Sequence, residues 1–234
     1  MPDENINGYS IIKIIGEGRY GIVYLAEDSH SKKYVMKQLK KDMLDKTRSK
    51  LYYECEILRK LNDHRFPKFI GSYNYNGTEG YILEYIYGKD FYEILAKDDY
   101  RFSKSEIYNI AEELIDIIVI LQENSIVHRD IRTSNVILNE NKDLVLIDFG
   151  LARYIDDNKY LKEIDYWYLA DFLLHLYYSS YYNETWEDER PWYEELDLNN
   201  YEIIFLKRLM GIEEKYKNTE EIRMDLNKIK NLSI

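Results

Sequence analysis

Two short runs of the 234-residue chain hold side chains suited to phosphate and metal chemistry. They are His128-Arg129-Asp130-Ile131-Arg132-Thr133-Ser134-Asn135 and, further on, Asp148-Phe149-Gly150. Phosphoryl transfer calls for a carboxylate to orient the attacking hydroxyl, oxygen ligands for magnesium, and cations for the phosphates. Asp130 can supply the first. Asn135 and Asp148 can supply the second, presented at the two ends of the hairpin that joins them.

The cations come from Arg132 and Lys37. In Tyr34-Val35-Met36-Lys37-Gln38-Leu39, strand alternation places Val35, Lys37 and Leu39 on one face, and an ammonium among apolar neighbours needs an anion. Glu54 poses the complementary problem, because it shares a helical stripe with Leu51, Leu58 and Leu61. A buried carboxylate and a buried ammonium are each costly alone and tolerable as a pair. Each by itself reads more readily as a solvated or snorkelling charge. Together, behind a glycine loop, they read as a Lys37–Glu54 pair. That loop is Gly16-Glu17-Gly18-Arg19-Tyr20-Gly21 with Val23 behind it. Its glycines permit a tight turn whose N–H groups can approach phosphate oxygens. It joins two strands, whereas the glycines of a dinucleotide fold open a helix.

Positioning these groups takes two kinds of element. The first third is strand-rich: Tyr9 to Ile15, Tyr20 to Glu27, Lys33 to Leu39, Phe69 to Tyr75 and Glu79 to Tyr85, with one helix at about Arg48 to Leu61. Beyond Gly88 the chain is mostly helical. Ser103 with Glu106 makes a capping-box signature ahead of an apolar stripe from Ile107 to Leu121. Val136 to Leu138 and Leu144 to Ile147 read as a hairpin around Asn139 to Lys142. Another apolar helix follows at about Asp165 to Tyr178. The fold class is α+β and bilobal: a flexible segment 1–8, a five-stranded antiparallel lobe with one main helix over 9–87, and a mainly helical lobe over 88–234, hinged near Glu84 to Gly88.

Bulk properties narrow the classes. At 45% hydrophobic the chain can build a core without staples, and its single cysteine, Cys55, excludes an intramolecular disulfide framework. A net charge of −11 makes nucleic acid a poor expected partner. The start, MPDENINGYS, lacks a signal-peptide pattern and no run is long enough for a membrane span, so a soluble cytoplasmic protein is expected. His30, His64 and His175 are scattered without metal spacing.

From about Tyr9 to Leu232 the ordered set of motifs resembles the protein-kinase family. The resemblance implies an ATP- and Mg2+-dependent phosphotransferase acting on Ser/Thr or Tyr hydroxyls of a protein. It implies that Gly16, Gly18 and Gly21 cover the ATP phosphates and that Lys37, held by Glu54, contacts them. Leu83 resembles the gatekeeper, and Glu84 and Ile86 the adenine-binding hinge. Val23, Val35 and Ile137 would sandwich the adenine, and Asp90 would reach the ribose. Asp165 resembles the aspartate that anchors the backbone around His128, while Leu58, His128 and Phe149 match spine positions.

Three features depart from the family pattern. Asp148 and Asp165 are only seventeen positions apart, about half the usual separation, and no Ala-Pro-Glu motif follows. Tyr216 stands where the family carries an arginine that pairs with the glutamate of that motif. Arg132 stands where lysine is usual in Ser/Thr kinases. Arg129 would normally read a phosphate on this segment, in which Tyr154 and Tyr160 lie. The compactness is similar to that of small bacterial kinase-like proteins, and also to the kinase subunit of the threonylcarbamoyl-adenosine tRNA-modification complex. Two other readings stay open: a nucleotide-binding scaffold or ATPase subunit, and a small-molecule kinase of the aminoglycoside or choline type.

Overall fold

The structure, a computed structural model, describes residues 5–18, 21–40, 53–156, 158–181 and 190–232. Arg19, Tyr20, Arg48 and Leu51, which enter the expectations above, lie outside them. The chain divides into two compact units: Met1–Tyr87 with Ile147–Gly150, and Gly88–Leu146 with Leu151–Ile234. The return of Ile147–Gly150 to the first unit was not foreseen.

In the first unit a six-stranded antiparallel sheet is built from β1 (Asn5–Ile6), β2 (Tyr9–Glu17), β3 (Gly21–Glu27), β4 (Lys33–Leu39), β5 (Phe69–Tyr75) and β6 (Thr78–Glu84). Their order is β1-β2-β3-β4-β6-β5. The five expected strands are present, and a sixth lies in the segment read as flexible. Asn5–Ile6 folds back on Tyr9–Ser10 through a turn in which Asn7 and Gly8 both take positive φ. Alternation sorts the sheet into two faces. One buries Ile6, Ile11, Tyr24, Ala26, Tyr34, Met36, Tyr73 and Ile82 as a core cluster. The other carries Val35 and Lys37. Gly21 sits so close to β4 that a Cβ would meet the Gln38 carbonyl oxygen at 2.2 Å, so the hairpin closes only with glycine there. The described part of the helix, α1 (Tyr53–Lys60), buries Glu54, Cys55, Ile57 and Leu58.

The second unit contains β7 (Gly88–Asp90), α2 (Phe91–Ala96), α3 (Lys104–Glu123), β8 (Ile126–Val127), β9 (Val136–Asn139), β10 (Leu144–Leu146), β11 (Arg153–Tyr154), α4 (Glu163–Tyr178), α5 (Trp192–Glu195), α6 (Asn200–Met210) and α7 (Thr219–Leu232). The Ser103–Glu106 capping box starts α3 as expected. A second box, Asn199 with Glu202, starts α6. Helix α3 packs on α4 and α7, and α4 on α6. The expected β9–β10 hairpin is present, with Val136 opposite Leu146. Gly88 does not simply interrupt the pattern. It starts β7, which pairs with β9 in a three-stranded sheet, and at φ 151 a Cβ there would meet the Leu138 oxygen at 2.3 Å.

Candidate active site

Lys37 lies on β4 directly across from Val23 of β3 and Tyr81 of β6, while Val35 lies across from Leu25 and Leu83. Val23, Val35, Leu83 and Lys37 therefore share one sheet face, as cross-strand neighbours must. From that face the Lys37 ammonium reaches Glu54 Oε1 at 2.7 Å and Oε2 at 3.0 Å, and Asp148 Oδ1 at 2.8 Å. The expected Lys37–Glu54 pair is thus present, with Asp148 as a second anion. Burial works against the charged form of Lys37. The charges of Glu54 and then Asp148 outweigh it, and the pKa rises above the ordinary lysine value.

Glu54 is 3% exposed and more fully held than the sequence revealed. It also accepts hydrogen bonds from the Tyr81 hydroxyl and, at 3.3 Å, from the Phe149 N–H. Phe149 is itself buried, edge-on to Phe66. Asp148, 46% exposed, adopts φ 63. That left-handed backbone is sparsely populated by non-glycine residues and clusters at functional sites. Gly16 and Gly18 stand on the β2–β3 hairpin, which the Gly18 N–H closes onto the Gly21 carbonyl at 3.0 Å. The Glu84 N–H donates to the Lys68 carbonyl at 2.9 Å, and Ile86 is half-buried.

In the second unit, Asn135 is 5% exposed and donates its amide to Asp130 twice, to the carbonyl at 3.0 Å and to Oδ2 at 2.8 Å. Arg132 Nε lies 3.4 Å from Asp130 Oδ1. Below this loop Asp165, 1% exposed, accepts the N–H of His128 and the N–H of Arg129, each at 2.7 Å. Arg129 takes φ 69, which turns its N–H toward that carboxylate. Burial pushes the Asp165 pKa up to about 7 against the two N–H donors. Ile137 faces Asp90 across the β7–β9 pair. Asp90 caps α2, accepting from the Glu93 N–H at 2.7 Å, a role in addition to the ribose contact expected of it. The Arg129 guanidinium lies 4.9 Å from the Tyr160 ring centroid. Among the described residues no three His, Cys, Asp or Glu cluster as a metal site.

The sequence matches the family described as "Protein kinase domain" over residues 9–224. The chain belongs to the protein kinase family. This kinase is 36% identical over 228 residues to "Probable serine/threonine-protein kinase YbdM" of Bacillus subtilis (strain 168), an alignment covering 94% of this chain and 88% of that protein. It is 32% identical over 153 residues to "Serine/threonine-protein kinase RUNKEL" of Arabidopsis thaliana, 65% of this chain and 11% of that protein. It is 30% identical over 159 residues to "Dual specificity protein kinase zakA" of Dictyostelium discoideum, 65% of this chain and 20% of that protein. The kinase thus spans most of its bacterial relative and a small part of the two eukaryotic ones. Membership carries the use of ATP and a protein acceptor, and disfavours the scaffold and small-molecule readings. No described helix of the kinase is long and apolar enough to cross a membrane.

Tyr216 belongs to a cluster that joins the last two helices. Tyr216 is buried, its hydroxyl donates to Asp225 Oδ2 at 3.0 Å, and the Arg208 guanidinium stacks 3.9 Å from its ring centroid. Arg208 in turn reaches Asp225 at 2.5 Å and Glu221 at 3.4 Å. The Arg208 cation is thus held by the Tyr216 ring and by two carboxylates of α7.

Proposed function

We propose that this kinase is a cytoplasmic enzyme that transfers the γ-phosphate of ATP to serine or threonine hydroxyls of proteins, in a reaction dependent on Mg2+. Asp130 accepts the hydrogen bond of the acceptor hydroxyl and orients its oxygen toward the γ-phosphorus. The new O–P bond forms as the bond from the γ-phosphorus to the ADP oxygen breaks, and the hydroxyl proton passes to Asp130. Lys37, held by Glu54, grips phosphate oxygens, and Arg132 faces the charge that develops in transfer. The N–H groups of Gly16, Gly18 and Gly21 cover the phosphates. Val23, Val35, Leu83 and Ile137 provide apolar contact for the base, the backbones of Glu84 and Ile86 its hydrogen bonds, and the oxygen of Asp90 not engaged in capping the ribose contact.

The donor set fits Mg2+: the exposed carboxylate of Asp148 and the side-chain oxygen of Asn135 are hard oxygens. This cation commonly takes one or two protein ligands and completes its shell with water and phosphate. When bound it neutralises phosphate charge.

The observation that carries the reading is the Asn135 amide holding the Asp130 carboxylate at 2.8 Å in one orientation. An Asp130→Asn variant tests it. ATP binding is expected to stay within about threefold of wild type while phosphate transfer falls by at least about a thousandfold. Wild-type turnover in that variant overturns the role. Mass spectrometry of lysate treated with wild type and with Asp148→Ala then reads the acceptor class from phosphosites present only in the first.

A further inference from the structure

Helix α4 presents a face that the described catalytic contacts do not use. Trp167 is 45% exposed, a large apolar area to leave in water two residues after the Asp165 that anchors the loop of Asp130. At helical spacing, Glu163 lies four residues before it and Asp171 four residues after, so indole and carboxylates form one stripe. Asp171 is 34% exposed and Glu163 half-buried. The nearby cation Lys162 is turned elsewhere, donating to the Lys217 carbonyl at 2.8 Å. His175 sits beyond the stripe with Nδ1 3.9 Å from an Asp171 oxygen.

Tyr168 links this stripe to the catalytic loop. It follows Asp165 by one helical turn on the same face and meets Trp167 edge-on, with ring centroids 5.4 Å apart. Burial first, and then the negative charge of Asp130, raises its hydroxyl pKa, with Arg129 and Arg132 also within electrostatic range. No described residue hydrogen-bonds to that hydroxyl. Helix α4 begins directly after Lys162, and the Trp167 ring stays open.

We infer that the Glu163–Trp167–Asp171 face of α4, continued by Tyr168 toward Asp130, is an acceptor-docking surface that takes a lysine or arginine side chain of the substrate polypeptide near the phosphorylated residue. Charge complementarity selects that occupant. An indole face flanked by two carboxylates attracts a cation and offers an anionic or purely apolar residue less. Continuity with the loop of Asp130 selects an acceptor peptide over an unrelated partner, since every acceptor hydroxyl must reach that carboxylate. The inference rests on the proposed role of Asp130.

The test is kinetics on arrayed peptides with a central serine or threonine and single flanking positions varied among Lys, Arg, Leu and Glu. Wild type is expected to prefer a cation at one flanking position by about tenfold or more. Trp167→Ala is expected to remove most of that preference by raising KM for the cationic peptide while kcat changes less than about twofold; Trp167→Phe keeps it. The double variant Glu163→Gln/Asp171→Asn is expected to behave like Trp167→Ala. A merely structural role would instead lower kcat on every peptide alike. Absence of a cation preference, its persistence in Trp167→Ala, or a wild type that labels no peptide overturns the docking surface. An Asp130→Asn arm separates the two readings: peptide labelling that survives there defeats the role of Asp130 itself.

Discussion

The Tyr81 hydroxyl donates to Glu54 Oε2, so the carboxylate that holds Lys37 is itself held from the neighbouring strand. Burial, followed by the charge of Glu54, lifts the Tyr81 pKa well above the ordinary phenol value, so it stays a donor at any physiological pH. Tyr81→Phe deletes this bond and leaves a 3% exposed carboxylate one partner short. The expected cost is about 2 kcal/mol in urea unfolding, with a several-fold rise in KM for ATP and a smaller change in kcat. An unchanged KM would show that Glu54 is positioned without it.

Tyr73 presents the opposite case. Its hydroxyl is buried with no hydrogen-bond partner among the described residues, pressed against Gly80, where a Cβ would lie 2.4 Å from that oxygen. An unsatisfied buried hydroxyl costs more than it contributes, so Tyr73→Phe is expected to stabilise the protein by about 1 kcal/mol. Gly80→Ala is expected to destabilise it, since the new methyl would also meet the Lys37 carbonyl oxygen at 2.4 Å. Thermal unfolding of the two variants should move in opposite directions.

Cys55 neighbours Glu54 on α1 and is 1% exposed. Burial, then the Glu54 charge, pushes its thiol up to about 12 from an ordinary value of 9.0. The native protein should therefore resist iodoacetamide at pH 8, and the denatured chain should react at least about a hundredfold faster. The sign of the linkage follows. Between pH 9 and 12 the unfolded chain releases this proton and the folded one retains it, so stability falls as pH rises through that window. Cys55→Ala should flatten that slope.

Asp165→Ala leaves the N–H groups of His128 and Arg129 buried without an acceptor, and should cost about 3 kcal/mol in urea unfolding. Because Arg129 at φ 69 depends on that acceptor, phosphate transfer should fall further than the unfolded fraction explains. Transfer that merely tracks the folded population would reduce Asp165 to a stabilising residue.

What the sequence disclosed followed from how local each signal was. Strands β4 and β5 matched residue for residue because alternation over seven residues identifies a strand, and Ser103 with Glu106 marked the start of α3 within one turn. Lys37 and Glu54 were legible as a pair because each broke an apolar stripe. Tyr81 was not, since a tyrosine in a strand breaks no pattern, and neither was Asn199 with Glu202, whose box lies among other polar residues. The two-residue strands Asn5–Ile6, Ile126–Val127 and Arg153–Tyr154 are too short to show a period. The Arg208–Tyr216–Asp225 cluster depends on contacts between separate helices, which no spacing encodes. Backbone signs at Arg129 and Asp148 leave no trace in residue type that distinguishes them from ordinary loop positions.

The torsion at Asp148 also restricts which residues can replace it. A left-handed backbone is taken most readily by glycine and, of the two acidic residues, more readily by aspartate, whose short carboxylate can bond locally. The contact with the Lys37 ammonium demands an anion at that same point. Glycine meets the first requirement and fails the second; glutamate does the reverse. Aspartate alone satisfies both, so adding one methylene at this position should be nearly as damaging as removing the charge.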